Sequence, residues 1–279
     1  MAARRALAIV ALVGLTPAGA IATTSLDGPG LAAHLDSLAP RLTERQGGAL
    51  PELTKSDWDR LAAGGSVIKQ QTLEGTDMLG ATVFTVTDVA AWRIWLAICD
   101  RDHHEEFMPH IREGVCLEDQ GHSRLVYQYL SLPGIRDRHW VIRTRTNGPL
   151  WRATEQTVWE SSWSLEPDAD ALIDHYVELG RIEKVSADAA ELAIVTPRND
   201  GCWLLVDLPD GRTFIAYQDL SDIGGRVPAW LVNELGPSGL SSLVDEVTAR
   251  GRSIEQHFSA DRPPPAAPDG TAVEQLDSP

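Results

Sequence analysis

Apolar and polar residues follow two periods along this chain. Period-two alternation predicts strands at 66–73 and 79–86, and a run that is apolar on nearly every side predicts a buried helix at 89–99. A second short helix is predicted at 103–108. Further strands are predicted at 111–119, 123–132, 138–147, 151–164, 175–187, 190–197, 202–208 and 213–220. The short glycine- and proline-containing links between them predict an antiparallel meander.

The last periodic segment predicts one long helix from Pro228 to about Phe258, kinked at Gly236-Pro237 because proline lacks an amide donor. Its apolar stripe consists of Leu240, Leu243, Val247, Ile254 and Phe258. The fold class is therefore α+β. One helix cannot fill the concave face of so wide a sheet, so either bulky side chains or a cavity must lie beneath it.

The two ends of the chain differ from this domain. Arg4-Arg5, an apolar run at 6–15 and Ala20-Ile21-Ala22 are typical of a signal peptide at 1–22, which predicts export to the periplasm or the extracellular space. Residues 23–50 are interpreted as a loosely ordered leader and 51–258 as the domain. The proline-rich segment 259–279 is predicted to be a disordered tail.

Charge and cysteine content narrow the function classes. The chain carries 40 acidic and 24 basic residues, a net charge of −16. Such an excess of acid argues against nucleic acid as a partner. Cys99, Cys116 and Cys202 are widely spaced, which favours three buried thiols and allows at most one disulfide.

Two stretches resemble the START family of lipid-transfer domains. The first is 137–143 (DRHWVIR), preceded by Leu132-Pro133. The second consists of 201–203 (GCW), 211–213 (GRT), 216–217 (AY) and 222–233 (DIGGRVPAWLVN). The second is long and specific, and the resemblance extends from about Pro51 to Phe258. It implies a helix-grip fold, in which a curved antiparallel sheet holds a long C-terminal helix over an internal hydrophobic cavity.

The resemblance also implies where a lipid-like ligand would bind. The residues expected to line the cavity or form its helical lid are Leu125, Tyr127, Tyr129, Trp140, Thr144, Trp159, Trp203, Trp230, Leu231, Leu243 and Val247. Leu125 and Thr144 occupy the places where sterol-binding members hold a buried acid and a buried arginine. The resemblance therefore implies an apolar, uncharged cavity that binds a hydrophobic small molecule, and it is compatible with transport of that molecule.

Catalysis is not predicted, since no nucleophile, metal set or cofactor fingerprint has the required spacing. The cluster 100–106 (DRDHHEE) lacks metal-site spacing and is interpreted as a solvated turn.

Two alternatives remain open: a polyketide cyclase or dehydratase with His139 as its base, and a partner-binding module with a packed core. The sequence predicts no cofactor and a monomer, and it allows transient contact with a membrane. A cavity above about 300 Å³ would favour ligand binding over a packed core.

Overall fold

The structure is a computed structural model that describes residues 25–72, 79–225 and 237–273. Its helices are α1 (Gly28–Leu38), α2 (Lys55–Ala62), α3 (Ala91–Cys99), α4 (Gly148–Ala153), α5 (Ala169–Glu178), α6 (Ala187–Leu192) and α7 (Pro237–Arg252). Its strands are β1 (Val67–Thr72), β2 (Leu79–Thr87), β3 (Ile111–Asp119), β4 (Ser123–Leu130), β5 (Arg138–Thr146), β6 (Val158–Leu165), β7 (Ile194–Val195), β8 (Arg198–Asp207) and β9 (Thr213–Asp222). Short 3₁₀ turns cover Leu42–Glu44, Arg101–Glu106 and Ile254–His257. Within these described ranges no helix is both long and apolar enough to cross a membrane.

The strands form one sheet in the order β1-β2-β9-β8-β6-β5-β4-β3, with antiparallel neighbours throughout. The two-residue strand β7 lies off this path and pairs in parallel with β5. Helices and a large antiparallel sheet confirm the predicted α+β class. The predicted meander is also correct for most of the sheet, because β3, β4, β5 and β6 pair in chain order and β8 pairs with β9.

Both faces of the sheet are buried. The cavity face, which carries Val126, Trp140, Trp203 and Tyr217, lies under α3 and α7. The outer face carries the residues of opposite parity, such as Leu125, Val141, Leu204 and Ala216. Strands buried on both sides lose the simple alternation of apolar and polar residues.

The segment expected to be a loosely ordered leader covers part of the outer face. Asp27 caps α1 by accepting a hydrogen bond from the Gly30 N–H, and Leu31 is fully buried. Leu31 packs in one apolar cluster with Leu61 of α2 and Phe214 of β9. The described part of this segment is therefore an integral layer of the domain.

Two predicted strands, at 175–187 and 190–197, are wrong. The chain there forms α5 and α6, and only Ile194–Val195 is a strand. The buried residues of α5 are Ala169, Ile173 and Tyr176, which have helical spacing. The first residues of the predicted strand 151–164, at 151–153, likewise belong to a helix, α4. The Asn147 side chain caps this helix by accepting a hydrogen bond from the Leu150 N–H.

The connection between α5 and α6 is fixed to the sheet by Glu113 of β3. The buried Glu113 carboxylate accepts hydrogen bonds from the backbone N–H groups of Glu183 (2.8 Å), Lys184 (3.2 Å) and Val185 (3.0 Å). Charge-assisted bonds of this kind hold a loop in one position. The α5–α6 unit therefore closes the outer face over β4 and β5.

The C-terminal helix ends earlier than predicted, at Arg252 instead of about Phe258. Its described part is Pro237–Arg252, and residues 228–236 of the predicted helix lie outside the described residues. Gly236 is also outside the described residues, so the kink at Gly236-Pro237 stays a prediction.

The chain beyond this helix differs from the predicted disordered tail. Residues 259–273 pack against the domain, and Ala267 and Val273 are buried. The Trp95 indole donates to the Ala266 carbonyl (2.9 Å) and the Thr146 hydroxyl to the Pro268 carbonyl (2.9 Å). A proline-rich segment has few amide donors but keeps its carbonyls, so side-chain donors can hold it in place.

Candidate functional site: a cavity between the sheet and the C-terminal helix

A cavity of about 400 Å³ lies between the cavity face and α7. Apolar side chains from β3, β4 and β5 form one side, and Leu240 and Leu243 of α7 form part of the opposite side. The cavity face keeps one parity on every central strand, so alternate residues of β4, β5, β6, β8 and β9 enter the cavity.

An aromatic wall occupies the centre of this cavity. The ring centroids of Trp203 and Tyr217 are 4.2 Å apart, and those of Trp163 and Tyr217 are 5.9 Å apart with nearly parallel planes. The Trp163 indole lies over Gly201, where a Cβ would come within 2.3 Å of the ring, and donates to Asn199 Oδ1 (2.8 Å). Rigid aromatic faces of this kind suit stacking on an apolar ligand.

A continuous series of hydrogen-bonded polar side chains lies beside the aromatic wall. The Trp140 indole donates to Gln128 Oε1 (3.1 Å), and Gln128 Nε2 donates to His104 Nδ1 (2.9 Å). His104 Nε2 then donates to the Ile98 carbonyl (3.1 Å), an acceptor that fixes the tautomer. Burial lowers the pKa of His104 to about 3, so the ring is neutral and both nitrogens are occupied.

A buried arginine also lines the cavity, contrary to the uncharged lining that was expected. Arg101 is 5% exposed and donates to Ser161 Oγ (3.1 Å) and to the Cys99 carbonyl (3.5 Å). No carboxylate among the described residues forms an ion pair with it. A buried charge without an ion-pair partner is costly, so this side chain is a strong candidate for ligand contact.

A carboxyl group lies farther along the same cavity. Asp219 of β9 accepts a hydrogen bond from the Ser221 hydroxyl (2.6 Å). Burial raises the pKa of Asp219 to about 6, because the ionised form is poorly solvated there. The cavity therefore has charged groups on two sides of its aromatic wall.

The eleven predicted cavity and lid residues fall into four groups. Trp140, Thr144, Trp203 and Leu243 line the cavity. Trp159 and Val247 belong to the solid core beside it, where Trp159 packs on Trp95 and Trp151 with centroids 5.7 and 5.5 Å apart. Trp230 and Leu231 lie outside the described residues.

The fourth group is a correction. Leu125, Tyr127 and Tyr129 point to the outer face, where they pack with Val141, Ile173 and the other residues under α5 and α6. Their neighbours Val126, Gln128 and Leu130 face the cavity instead. A one-residue change of phase moves every side chain of a strand to the other face.

His139, the candidate base of a cyclase, is also on the outer face. It is 2% exposed, lies edge-on to Tyr127 and Tyr129, and has its Nδ1 3.4 Å from the Tyr127 hydroxyl. Burial lowers its pKa, so its neutral form is favoured. It does not line the cavity, and a ligand there would not reach it.

The acidic and histidine-rich segment 100–106 forms ion pairs instead of a solvated turn. Asp100 and Glu106 both pair with Arg250 of α7 and with Arg262. The Asp102 carboxylate accepts from the Cys116 N–H (2.6 Å). These contacts tie the C-terminal end of α7 to the sheet. Across the described ranges no three metal-ligating side chains converge.

The three cysteines are free thiols. Cys99 and Cys202 are buried and Cys116 is half-buried. Burial raises the pKa of Cys202 to about 12 and that of Cys116 to about 11, so both thiols are protonated and weakly reactive at neutral pH.

The architecture matches known structures although the sequence alone does not. No family model matches the chain. No curated protein matches it either. The STAR-related lipid transfer protein (fragment 25–204) of Xanthomonas axonopodis is 17% identical with a TM-score of 0.51, over 74% of this chain and 99% of that one. Human StAR-related lipid transfer protein 5 is 9% identical with a TM-score of 0.52, over 80% and 98%. The chain has the START helix-grip fold.

The Zhui aromatase/cyclase of Streptomyces sp. R1128 is also similar, at 12% identity over 64% of this chain and 88% of that one. Its TM-score of 0.35 is too low to support an argument about this chain. Similarity at such identities establishes the START helix-grip fold, and function depends on the residues of the site.

Proposed function

We propose that this chain binds a hydrophobic, lipid-like small molecule in the cavity and releases it unchanged. The observation that carries the proposal is a cavity of about 400 Å³ walled by Trp140, Trp163, Trp203 and Tyr217. That volume exceeds about 300 Å³, the lower end of the range typical of small-molecule sites, and so favours ligand binding over a packed core. The START helix-grip fold supports the same function.

Binding without turnover is favoured over a cyclase by the placement of the acid–base groups. A general base needs a free nitrogen or carboxylate oxygen within reach of the substrate. His139 lies behind the sheet, and both ring nitrogens of His104 are occupied. The Asp219 carboxyl accepts a hydrogen bond from the Ser221 hydroxyl. Neither His139 nor His104 therefore offers a ring nitrogen to a ligand in the cavity, which removes the cyclase that would use His139 as its base.

Replacing Leu243 with tryptophan should weaken binding of the neutral probe N-phenyl-1-naphthylamine about tenfold or more, which corresponds to roughly 1.4 kcal/mol. Leu243 lines the cavity from α7, so the larger ring would occupy ligand space. The matched control is Glu246→Trp, on the exposed side of the same helix. Probe fluorescence titration gives both affinities. Equal affinity in the two variants would show that the probe binds elsewhere.

Mass spectrometry of solvent extracts from the purified protein tests the ligand directly. A stoichiometric apolar molecule, recovered unchanged after incubation, is expected. Chemical conversion of the bound molecule on incubation would replace binding with an enzymatic function.

We also propose that the chain is exported and that its ligand is taken up and delivered outside the cytoplasm, by a monomer in transient contact with membranes. The proposal is supported by the Arg4-Arg5 start, the short apolar run and the Ala20-Ile21-Ala22 pattern. Intact-mass analysis of the native protein should give an N-terminus near Thr23. A full-length cytoplasmic product would contradict export and leave the cavity proposal standing.

A further inference from the structure

Arg101 is a charged group built into an otherwise largely apolar cavity. It follows α3 in the 3₁₀ turn Arg101–Glu106, and its guanidinium points to β6. A guanidinium has five N–H donors. Within the described part of the chain, Arg101 donates to Ser161 and to the Cys99 carbonyl, and the second bond is long at 3.5 Å. Both bonds come from the terminal nitrogens, and Nε forms no hydrogen bond with a described residue.

The nearby carboxylates have other partners. Asp100 accepts from Arg250, Arg262 and His103. The Asp102 carboxylate accepts from the Cys116 N–H, and Asp119 pairs with Arg124 (3.0 Å). The Arg101 guanidinium therefore lies in the cavity, while the neighbouring carboxylates bond to other groups.

The register of the sheet places Asp219 away from Arg101. Ser161, which Arg101 contacts, pairs with Trp203, and Trp203 pairs with Tyr217. Asp219 lies two residues beyond Tyr217 on β9, so the aromatic wall separates the two charged groups. An anionic ligand group is therefore attracted to the Arg101 side and repelled from the Asp219 side when that carboxyl is ionised.

We propose that the cavity selects apolar molecules with a single anionic group, a carboxylate or a phosphate monoester, which Arg101 binds while the apolar body lies against Trp203 and Tyr217. This inference rests on the proposed binding function. A planar guanidinium with free donors binds either oxyanion strongly. A volume of about 400 Å³ suits a molecule with one apolar body.

The test compares cis-parinaric acid with its uncharged methyl ester by fluorescence titration of the intact, ligand-stripped protein. The acid should bind about tenfold or more tightly than the ester, because charge-assisted hydrogen bonds are lost in the ester. Arg101→Gln should remove that preference and change the affinity for the ester less than about threefold. Competition by hexadecanoate and by hexadecyl phosphate then shows which oxyanion is preferred.

Arg145→Gln is the matched control, since Arg145 also donates to a serine, Ser164 (3.2 Å), but is exposed. It should keep the full preference for the acid. Arg101→Lys retains the charge and should keep part of the preference if the glutamine variant fails to fold. Equal affinities for acid and ester in the unmodified protein would overturn this inference and leave apolar binding intact. Failure of acid, ester and N-phenyl-1-naphthylamine alike would overturn both.

Discussion

Replacing Glu160 with alanine should lower the free energy of unfolding by about 3–5 kcal/mol, because it removes one member of a buried ion pair. Glu160 is fully buried on the outer face of β6. Its carboxylate accepts from Arg45 Nε (3.0 Å), Asn147 Nδ2 (2.7 Å) and the Gln46 and Gly47 N–H groups (2.8 and 3.2 Å). The substitution would leave the Arg45 guanidinium buried without its counter-charge.

Urea unfolding followed by circular dichroism measures this loss. Glu155→Ala is the matched control, because Glu155 also pairs with an arginine of the N-terminal segment, Arg41 (3.5 Å), but both side chains are exposed. Exposed pairs contribute less than about 1 kcal/mol. Probe affinity of the folded Glu160→Ala protein should be unchanged, since Glu160 faces away from the cavity. A loss no larger than the control's would mean that the N-terminal segment is not held through this carboxylate.

The same outer face explains why the strands could be predicted but their phase could not. In β4, the run Leu125 to Leu130 is buried on both faces. Alternation reveals the inward face only where the other face is polar. The sequence of β4 therefore predicts a strand and says nothing about which residues face the cavity. The inward position that the family resemblance implies for Leu125 is wrong.

The helices over the outer face were missed for a related reason. The segment around His175 and Tyr176 has few residues that distinguish strand from helix, and its burial pattern becomes helical only with Ala169 and Ile173 included. Tertiary packing over β4 and β5 decides such short segments. The cavity positions predicted for Trp140 and Trp203 are correct, because the family motifs that contain these residues indicate their place in the sheet without help from apolar–polar alternation.

The charged groups of the cavity were not predictable from spacing. Arg101 lies in a run of charged residues, where a solvated turn is the ordinary interpretation. Asp219 has the parity of Tyr217, so correct assignment of β9 would have placed both in the cavity. One sequence signal was therefore available for Asp219, and none for Arg101.

Replacing Asp219 with asparagine should stabilise the ligand-free protein at pH 8 by about 2–3 kcal/mol and leave its stability at pH 4 nearly unchanged. The pKa of Asp219 is raised from 3.8 to about 6 by burial. Between those two values the folded state binds more protons than the unfolded state, so the Asp219 contribution falls as the pH rises through this window. Asparagine removes the ionisation and can still accept the Ser221 hydrogen bond.

The measurement is the difference in urea-unfolding free energy between variant and unmodified protein at a series of pH values, so that contributions from other groups cancel. Asp119→Asn provides a control of opposite sign. Burial opposes ionisation of Asp119, but the Gly121 N–H and Arg124 outweigh it and lower its pKa. That variant should be destabilised at pH 8, with the loss shrinking as the pH falls below the ordinary aspartate pKa.

Retaining an acid that costs stability at neutral pH is typical of a residue kept for a ligand rather than for the fold. An ionised Asp219 would disfavour an anionic group on its side of the aromatic wall, and so would orient a ligand held by Arg101. Asp219→Asn should then leave binding of the methyl ester unchanged at pH 8 while strengthening that of the acid. A pH-independent stability difference between variant and unmodified protein would show that the pKa of Asp219 is the same in the folded and unfolded states, and this account of the cavity would fail.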